Sequence, residues 1–291
     1  MPIRVMARAL AALAIASALV TAGCGDDDDT AANDNGTEGS CAMGDLNLVS
    51  DGELTLGTDN PAFPPWFEDD EPNNGKGFES AVAYAIADEL GFAKDDVTWT
   101  TVAFNNAFAP GDKDFDFDIN QVSISPERKQ AVDFSEGYYD VNQAIVGFQD
   151  SPAATATTVG QLQGLKLGAQ LGTTSLAFIQ EVIKPTSEPF VYNDNNAAKA
   201  ALDARQVDAI VLDLPTAFYV SSTEIEGTTV IGQFPATAVA PEQFGMVFEK
   251  GNPLRDCVDQ ALTRLKDSGK LDQIEQEWLS DYVDAPVIPV N

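Results

Sequence analysis

The sequence predicts an α/β protein whose sheets are largely parallel, and three observations carry that reading. Short β-rich runs alternate with helical stretches along the chain, the pattern of stacked strand and helix layers. The helical stretches carry apolar residues at helical spacing, whereas Val207 to Leu212 is a continuous apolar run of the kind buried on both faces of a sheet. Gly, Pro and Asx residues punctuate the junctions, and after the N-terminal segment there is no second hydrophobic span and no internal repeat.

Leu54 to Thr58 is β-rich and closes on the turn signal Asp59-Asn60-Pro61. Beyond Gly75 and Gly77, the residues Phe78, Val82, Ile86 and Leu90 fall four apart and stop at Gly91, which marks an amphipathic helix with a glycine stop. Val97 to Val102 reads as a strand and Phe104 to Pro110 as a short helix. Phe115 to Ile119 alternates at period two, placing Phe115, Phe117 and Ile119 on a core and their acidic neighbours outward. The acids Asp112, Asp114, Asp116 and Asp118 share the alternation of a calcium loop. Phe117 stands where that loop needs glycine and Ser123 where it needs a bidentate Glu, so the strand is preferred. Leu165 to Gln170 is a strand, Thr173 to Ile183 a helix, Asn195 to Arg205 an Ala-rich helix, and Val207 to Leu212 a strand ending at Asp213. Leu254 to Leu265 and Leu271 to Tyr282 form two helices broken at Gly269.

Composition narrows the function. The 291 residues hold 16 Lys+Arg against 46 Asp+Glu, a formal net charge of -30, with 44% hydrophobic residues and no histidine. That apolar content suffices for one large or two ordinary domains. So acidic a surface repels phosphate backbones and anionic headgroups, which excludes nucleic acid and polybasic membrane docking. Without histidine there is no Ser-His-Asp or Cys-His catalysis and no HExxH zinc site.

Arg4 and Arg8 precede an apolar run, Ala9 to Val20, and small residues then lead to Cys24. The run is too short to span a bilayer comfortably and has the layout of an export signal over residues 1–23. Val20-Thr21-Ala22-Gly23-Cys24 resembles a bacterial lipoprotein cleavage box, with Thr21 where Leu is commoner, which implies lipidation of Cys24. The alternative is an ordinary secretory peptide cleaved near Ala22; either way the protein is exported. Residues 24–44 are polar and acidic, a flexible tether in which Asp26 to Asp29 are a solvated charge run. With Cys24 assigned to lipid, Cys41 and Cys257 remain, and an even count in an oxidising compartment predicts a bridge between them.

Three polar sets sit where α/β proteins place ligands, at strand C-termini and helix starts. In Ser123-Ile124-Ser125-Pro126-Glu127-Arg128, the Arg128 fork suits a carboxylate, although an Arg in a polar loop also commonly makes a surface ion pair. Gly172-Thr173-Thr174-Ser175 opens a helix, where amides and hydroxyls make either an anion site or a plain N-cap. Asp213, directly after Ile210-Val211-Leu212, is either a turn former or an ammonium acceptor. Together the sets describe the constant part of an α-amino acid: Arg128 and the Thr173/Thr174 helix start for the carboxylate, Asp213 for the ammonium.

At these residues the chain resembles the extracellular solute-binding proteins of polar amino-acid uptake systems, such as the histidine, glutamine and lysine/arginine/ornithine binders. The matching segments are Leu56 to Trp66 (Leu-Gly-Thr-Asp-Asn-Pro-Ala-Phe-Pro-Pro-Trp), Gly77-Phe78-Glu79, Ser123 to Lys129, Val132-Asp133-Phe134-Ser135 with Tyr138-Tyr139, Gly172-Thr173-Thr174, and Val207-Asp208-Ala209 running to Asp213. They keep their order over residues 50 to 282. The resemblance implies a two-lobe periplasmic-binding-protein fold, each lobe a mostly parallel sheet flanked by helices. Residues 45–142 and 240–291 would form lobe 1, residues 143–239 lobe 2, with crossovers near Val141 to Val146 and Pro235 to Pro241. It also implies that Arg128 clamps the carboxylate, Ser123 and Thr174 add donors, and Asp213 takes the ammonium. Phe63 and Phe104 would sandwich the ligand side chain, with Thr173 and Gln170 at the rim.

The chain departs from that pattern at several places. Asp59 lies one residue further from Phe63 than usual, and Asn120-Gln121 replaces small residues, adding amides that either read a side chain or narrow the pocket. Gln170 stands where some binders of acidic or amide side chains carry a basic residue. With Arg128 as the only placeable cation, a second ligand carboxylate would be buried unpaired, so neutral polar and basic amino acids rank above glutamate and aspartate. The implied partners are an ABC permease with its cytoplasmic ATPase, and the membrane through the lipid anchor only; the expected state is a monomer without cofactor or metal. An enzyme is not expected. The competing classes are an exported dehydratase on the same scaffold, with Glu79, Asp59 or Tyr138 as nominal acid or base, and a sensor acting through a separate protein.

Overall fold

The computed structural model describes residues 41–235, 242–280 and 285–290. The export segment at 1–23, Cys24, the tether as far as residue 40, residues 236–241 of the second expected crossover, and Asp281 and Tyr282 of the last expected helix lie outside the described residues.

In chain order the elements are β1 (Leu54–Thr58), α1 (Phe78–Glu89), β2 (Val97–Thr101), α2 (Phe104–Ala107), β3 (Phe117–Asp118), β4 (Asp133–Phe134), β5 (Tyr139–Val141) and β6 (Gln143–Phe148). They continue as α3 (Val159–Leu162), β7 (Leu167–Gln170), α4 (Thr174–Phe178), β8 (Phe190–Tyr192), α5 (Asn195–Asp203), β9 (Ala209–Asp213) and α6 (Leu214–Tyr219). The last are β10 (Thr228–Phe234), β11 (Glu242–Phe244), β12 (Val247–Phe248), α7 (Leu254–Asp267) and α8 (Lys270–Leu279). Two five-stranded sheets result, ordered β2-β1-β3-β12-β4 and β10-β6-β9-β7-β8, and a two-stranded ribbon pairs β11 with β5. Within each sheet the strands linked through helices run parallel, whereas those next to the crossovers, β12 in one sheet and β6 in the other, run antiparallel to their neighbours.

The first lobe is built around α1. Phe78, Val82 and Ile86 are fully buried together with Val258, Ala261 and Leu262 of α7 and with Leu271 and Ile274 of α8. Each of these side chains other than Ala261 contributes roughly 1.5–3 kcal/mol by leaving water. Gly77 starts α1 at φ 90, where a Cβ would lie 2.6 Å from Phe67 Cα, so the entry to the helix requires glycine. Cys41 and Cys257 are bridged across a sequence separation of 216, tying the start of the described chain to α7.

The Phe115 to Ile119 reading needs correction. Only Phe117–Asp118 is strand, and Asp116 and Asp118 are as buried as the phenylalanines beside them. β3 is central, between β1 and β12, so both of its faces are covered. Asp116 is satisfied by the amides of Val49 and Thr55, at 2.8 and 2.6 Å. Neither carboxyl oxygen of Asp118 has a hydrogen-bond partner among the described residues. Burial first, and then the charges of Glu79 and Asp59, hold its carboxyl well above the usual range.

The second sheet is covered on both faces. Ala144, Val146, Ile210 and Leu212 join one cluster, while the alternate residues Ile145, Ala209 and Val211 join the other. Residues 285–290, assigned on sequence to the first lobe, lie on this second sheet: Gln233 donates its backbone N–H to Pro286 O at 2.8 Å, and Ile288 returns one to Gln233 O at 2.9 Å. Ala285 and Ile288 are buried in its two clusters and Val290 packs against one of them, whereas Val287 stays exposed. The outward crossover runs from β5 through Asn142 into β6, a little earlier than the Val141 to Val146 expectation.

Candidate functional site

The two lobes touch across a cleft. Trp66 Nε1 on the first donates to Thr216 Oγ1 on the second at 2.9 Å, and Lys199 Nζ of α5 sits 4.1 Å above the Phe63 ring. The cavity left between them measures about 390 Å³, inside the range of ordinary small-molecule pockets. Its walls bring together Asp59, Phe63, Phe104, Gln121, Ser123, Gln170, Thr173, Thr174 and Asp213, all singled out from sequence. They also include the amides Asn60, Asn105, Asn106, Asn120, Asn193, Asn195 and Asn196, and the carboxylate of Asp194.

Arg128 lies in a short turn behind this wall and is only 8% exposed. Its NH1 donates to Ser123 O at 2.7 Å and its NH2 to Gly172 O on the other lobe at 2.9 Å, while the guanidinium stacks 4.3 Å from the Phe108 centroid. A guanidinium carries five N–H donors, so these two bonds fix its position and leave others unassigned. No carboxylate among the described residues forms an ion pair with it. Burial pushes its pKa down, opposed by the charges of Glu242, Asp213 and Glu127. A buried cation with no ion-pair partner is a strong anion receptor.

Thr173 is the N-cap of α4: its Oγ1 accepts from Leu176 N at 3.1 Å and donates to Gln170 O at 2.7 Å. Thr174 is not engaged in capping; its Oγ1 lies 3.3 Å from Ser123 Oγ and 3.4 Å from Gln143 Nε2. Of the hydroxyls at this helix start, Thr174 is therefore the one turned to the opposite lobe.

Asp213 ends β9 and occupies the N-cap position of α6, yet its side chain makes no cap bond. It accepts instead from Gln143 Nε2 at 2.8 Å. Burial, with the Glu242 carboxylate next, pushes Asp213 up to about 8, against the Gln143 hydrogen bond and the Arg128 charge. A carboxylate so placed gains most from an arriving cation.

Gln121 is held at φ 49 by Glu79, which accepts from its backbone N–H at 2.6 Å and from its side-chain amide. Tyr138 donates its hydroxyl to the same carboxylate. Glu79 is fully buried and raised to about 7, with burial outweighing these hydrogen bonds. The Gln121 amide nitrogen is thus turned inward to Glu79. Glu79 and Tyr138 lie beneath the loop and do not line the cavity; Asp59 does, and accepts from the Phe104 N–H at 3.2 Å.

Sequence reasoning missed several groups. Gln143 and Glu242 complete the polar cluster and Ser175 supports it, donating to Gln143 Oε1 at 2.6 Å. A lone amide opening the apolar run Gln143 to Phe148 was the available signal for Gln143; Glu242 had none. Lys199 corrects the view of Arg128 as the only cation near the pocket: the second turn of α5 swings it over Phe63, where it pairs with Glu224 at 2.8 Å. Among the described residues no group of His, Cys, Asp and Glu has the arrangement of a metal site.

The chain is similar in sequence and fold to known proteins. The arginine-binding extracellular protein ArtP of Bacillus subtilis (strain 168) is 27% identical over 237 residues, spanning 78% of this chain and 86% of its own. An ancestral arginine-binding protein solved bound to glutamine superposes with a TM-score of 0.66 at 29% identity, covering 78% of this chain and 97% of that one. The ancestral amino acid-binding protein AncCDT-1, described as a precursor of cyclohexadienyl dehydratase, superposes with a TM-score of 0.65 at 29% identity over 78% of this chain and 95% of its own. The model of the bacterial extracellular solute-binding proteins, family 3, matches residues 54–281, and it is to this family that the chain, with its two lobes meeting over a polar cleft, belongs.

Proposed function

We propose that this protein captures a neutral polar or basic α-amino acid by closing its lobes and delivers it to an ABC importer, working at the outer face of the cell membrane with Cys24 as its lipid anchor. The observation that carries the reading is the pairing of opposite receptors in one cleft: Arg128, buried and without an ion-pair partner among the described residues, and Asp213, uncapped and inclined to take a cation. An α-amino acid is the smallest ligand that answers both.

The side-chain end of the cavity supports the narrower choice. Phe63 and Phe104 offer apolar faces, the Asn cluster offers hydrogen bonds, and no Lys or Arg is among the lining residues, whereas Asp59 and Asp194 are. A ligand side-chain carboxylate would meet Asp59 and Asp194, and the nearby Lys199 is already paired with Glu224 at 2.8 Å, while an amide or a cation would be matched. The relatives, an arginine-binding protein and an ancestral arginine-binding protein solved with glutamine, support that ranking. In a two-lobe binder the ligand closes the hinge by contacting both sides; here Ser123 and Arg128 belong to one lobe, Thr174 and Asp213 to the other.

Thermal unfolding of the purified protein against the twenty amino acids tests this. Ligand at 1,000 times its dissociation constant adds roughly 4 kcal/mol to the folded state, a shift of several degrees. A shift by arginine, lysine, glutamine or a similar ligand, without one from glutamate, supports the reading; a shift by glutamate alone overturns the ranking. A catalytic reading rests on the likeness to the dehydratase precursor and is tested in the same samples by turnover of prephenate or arogenate.

A further inference from the structure

Glu242 opens β11, the return crossover, and its carboxylate stands within the set of donors that a ligand carboxylate needs. Its Oε1 accepts from Ser123 Oγ at 2.6 Å and its Oε2 from Gln143 Nε2 at 3.1 Å. A serine hydroxyl has one proton, so the bond to Glu242 leaves Ser123 with none for a ligand. The Gln143 amide is shared in the same way, its two protons facing Glu242, Asp213 at 2.8 Å and Thr174 Oγ1 at 3.4 Å. Glu242 is also first among the charges acting on Arg128, although it is not within ion-pair distance. Two carboxyl groups thus already meet across one amide, and an incoming α-carboxylate would bring a further anion into the same few ångströms.

We propose that Glu242 is an internal competitor for the carboxylate subsite: it holds Ser123 in the ligand-free protein, and the carboxylate of an amino acid enters by displacing it. The inference rests on the amino-acid reading of the cleft. Its location gives it a further consequence. Glu242 pairs with Val141 in the ribbon that joins the lobes, so its displacement acts on the strand pair about which they move. Affinity is then the difference between two carboxylates binding one donor set, and Glu242 sets the threshold a ligand has to exceed.

The test titrates L-arginine, L-glutamine and the α-carboxamides of both into the wild-type protein, Glu242→Gln and Glu242→Ala. Asp267→Asn, an exposed acid on α7, controls for net charge, and thermal unfolding confirms that each variant is folded. Both Glu242 variants are expected to bind the amino acid about tenfold tighter, the order of one charge-assisted hydrogen bond no longer contested. The carboxamides, which lack the competing group, should gain much less. Unchanged binding in both variants, or an equal gain for amino acids and carboxamides, overturns the proposal. Weaker binding also overturns it and assigns Glu242 to the ammonium beside Asp213. If no amino acid binds the wild type or any variant, the amino-acid reading falls and takes this inference with it; if the wild type binds and the variants do not bind tighter, only the inference falls.

Discussion

Replacing Glu79 with glutamine should change how stability depends on pH, by an amount that follows from its burial. Glu79 is raised from an ordinary 4.5 to about 7 because it has left water entirely, and hydrogen bonds from Tyr138 and Gln121 only partly compensate. A carboxyl whose pKa is raised by folding binds its proton more tightly in the native state than in the unfolded chain. Its contribution is therefore fully present below the unfolded pKa of 4.5 and is lost as pH rises through about 7. The shift corresponds to about 3 kcal/mol between pH 4 and pH 8. Glutamine keeps the shape of the site. Its oxygen can take the place of Glu79 Oε1, which accepts from the Gln121 backbone and from Tyr138, and its NH2 can donate to a flipped Gln121 amide. Being neutral throughout, it removes the pH-dependent part, and relief of Asp118, which feels the Glu79 charge, acts in the same direction. Urea unfolding of both proteins at pH 4 to 8 measures this, with the loss from low to high pH expected to be about 3 kcal/mol smaller in the variant. Parallel curves for the two proteins would refute the account of Glu79 as a buried, proton-holding acid.

Two further outcomes follow from the same groups. Asp213, pushed up to about 8 by burial and by Glu242, and opposed by Gln143 and Arg128, has to lose its proton to receive an ammonium, so affinity for L-arginine or L-glutamine should rise close to tenfold from pH 6 to pH 7. A dissociation constant that stays flat over that interval would exclude Asp213 as the ionised partner. The Cys41–Cys257 bridge closes 216 residues, so replacing both cysteines with serine should remove about 5 kcal/mol of stability in the chain-entropy account. Affinity should be little changed, because Cys257 lies among the core residues of α7 and not in the cleft wall; a loss below about 1 kcal/mol on urea unfolding would contradict the estimate.

Much of the architecture was legible in the sequence where one physical signal dominated. The four-residue spacing from Phe78 to Leu90 and the glycine after it define α1 to within a residue, and the apolar run before Asp213 identifies a strand buried on both faces. The errors have a common cause, which is that local pattern does not report what covers an element. Alternation at Phe115 to Ile119 suggested one wet face, but the central place of β3 buries Asp116 and Asp118 as well. The tail at 285–290 carries no signal naming the lobe it returns to; only Ile288 and Ala285 finding the second sheet decides it.

The cleft divides in the same way. Ser123, Thr174 and Asp213 were recognisable from position, since strand ends and helix starts converge in α/β folds. Thr173 proved to be the cap and Thr174 the group facing the other lobe, a distinction that only the helix geometry makes. Gln143 was signalled only as a lone amide opening an apolar run and Glu242 not at all, because their roles depend on two segments 99 residues apart in sequence meeting.

The central claim, one cleft with a carboxylate receptor and an ammonium receptor, is tested most directly by calorimetric titration of L-arginine, L-glutamine and L-glutamate into the wild-type protein, Arg128→Ala and Asp213→Ala. The account predicts one-to-one binding of arginine or glutamine but not glutamate to the wild type, and a loss of at least about a hundredfold in each variant, the size of removing one partner of a buried charge pair. Binding that survives in both variants, or no binding of any amino acid to the wild type, would contradict it.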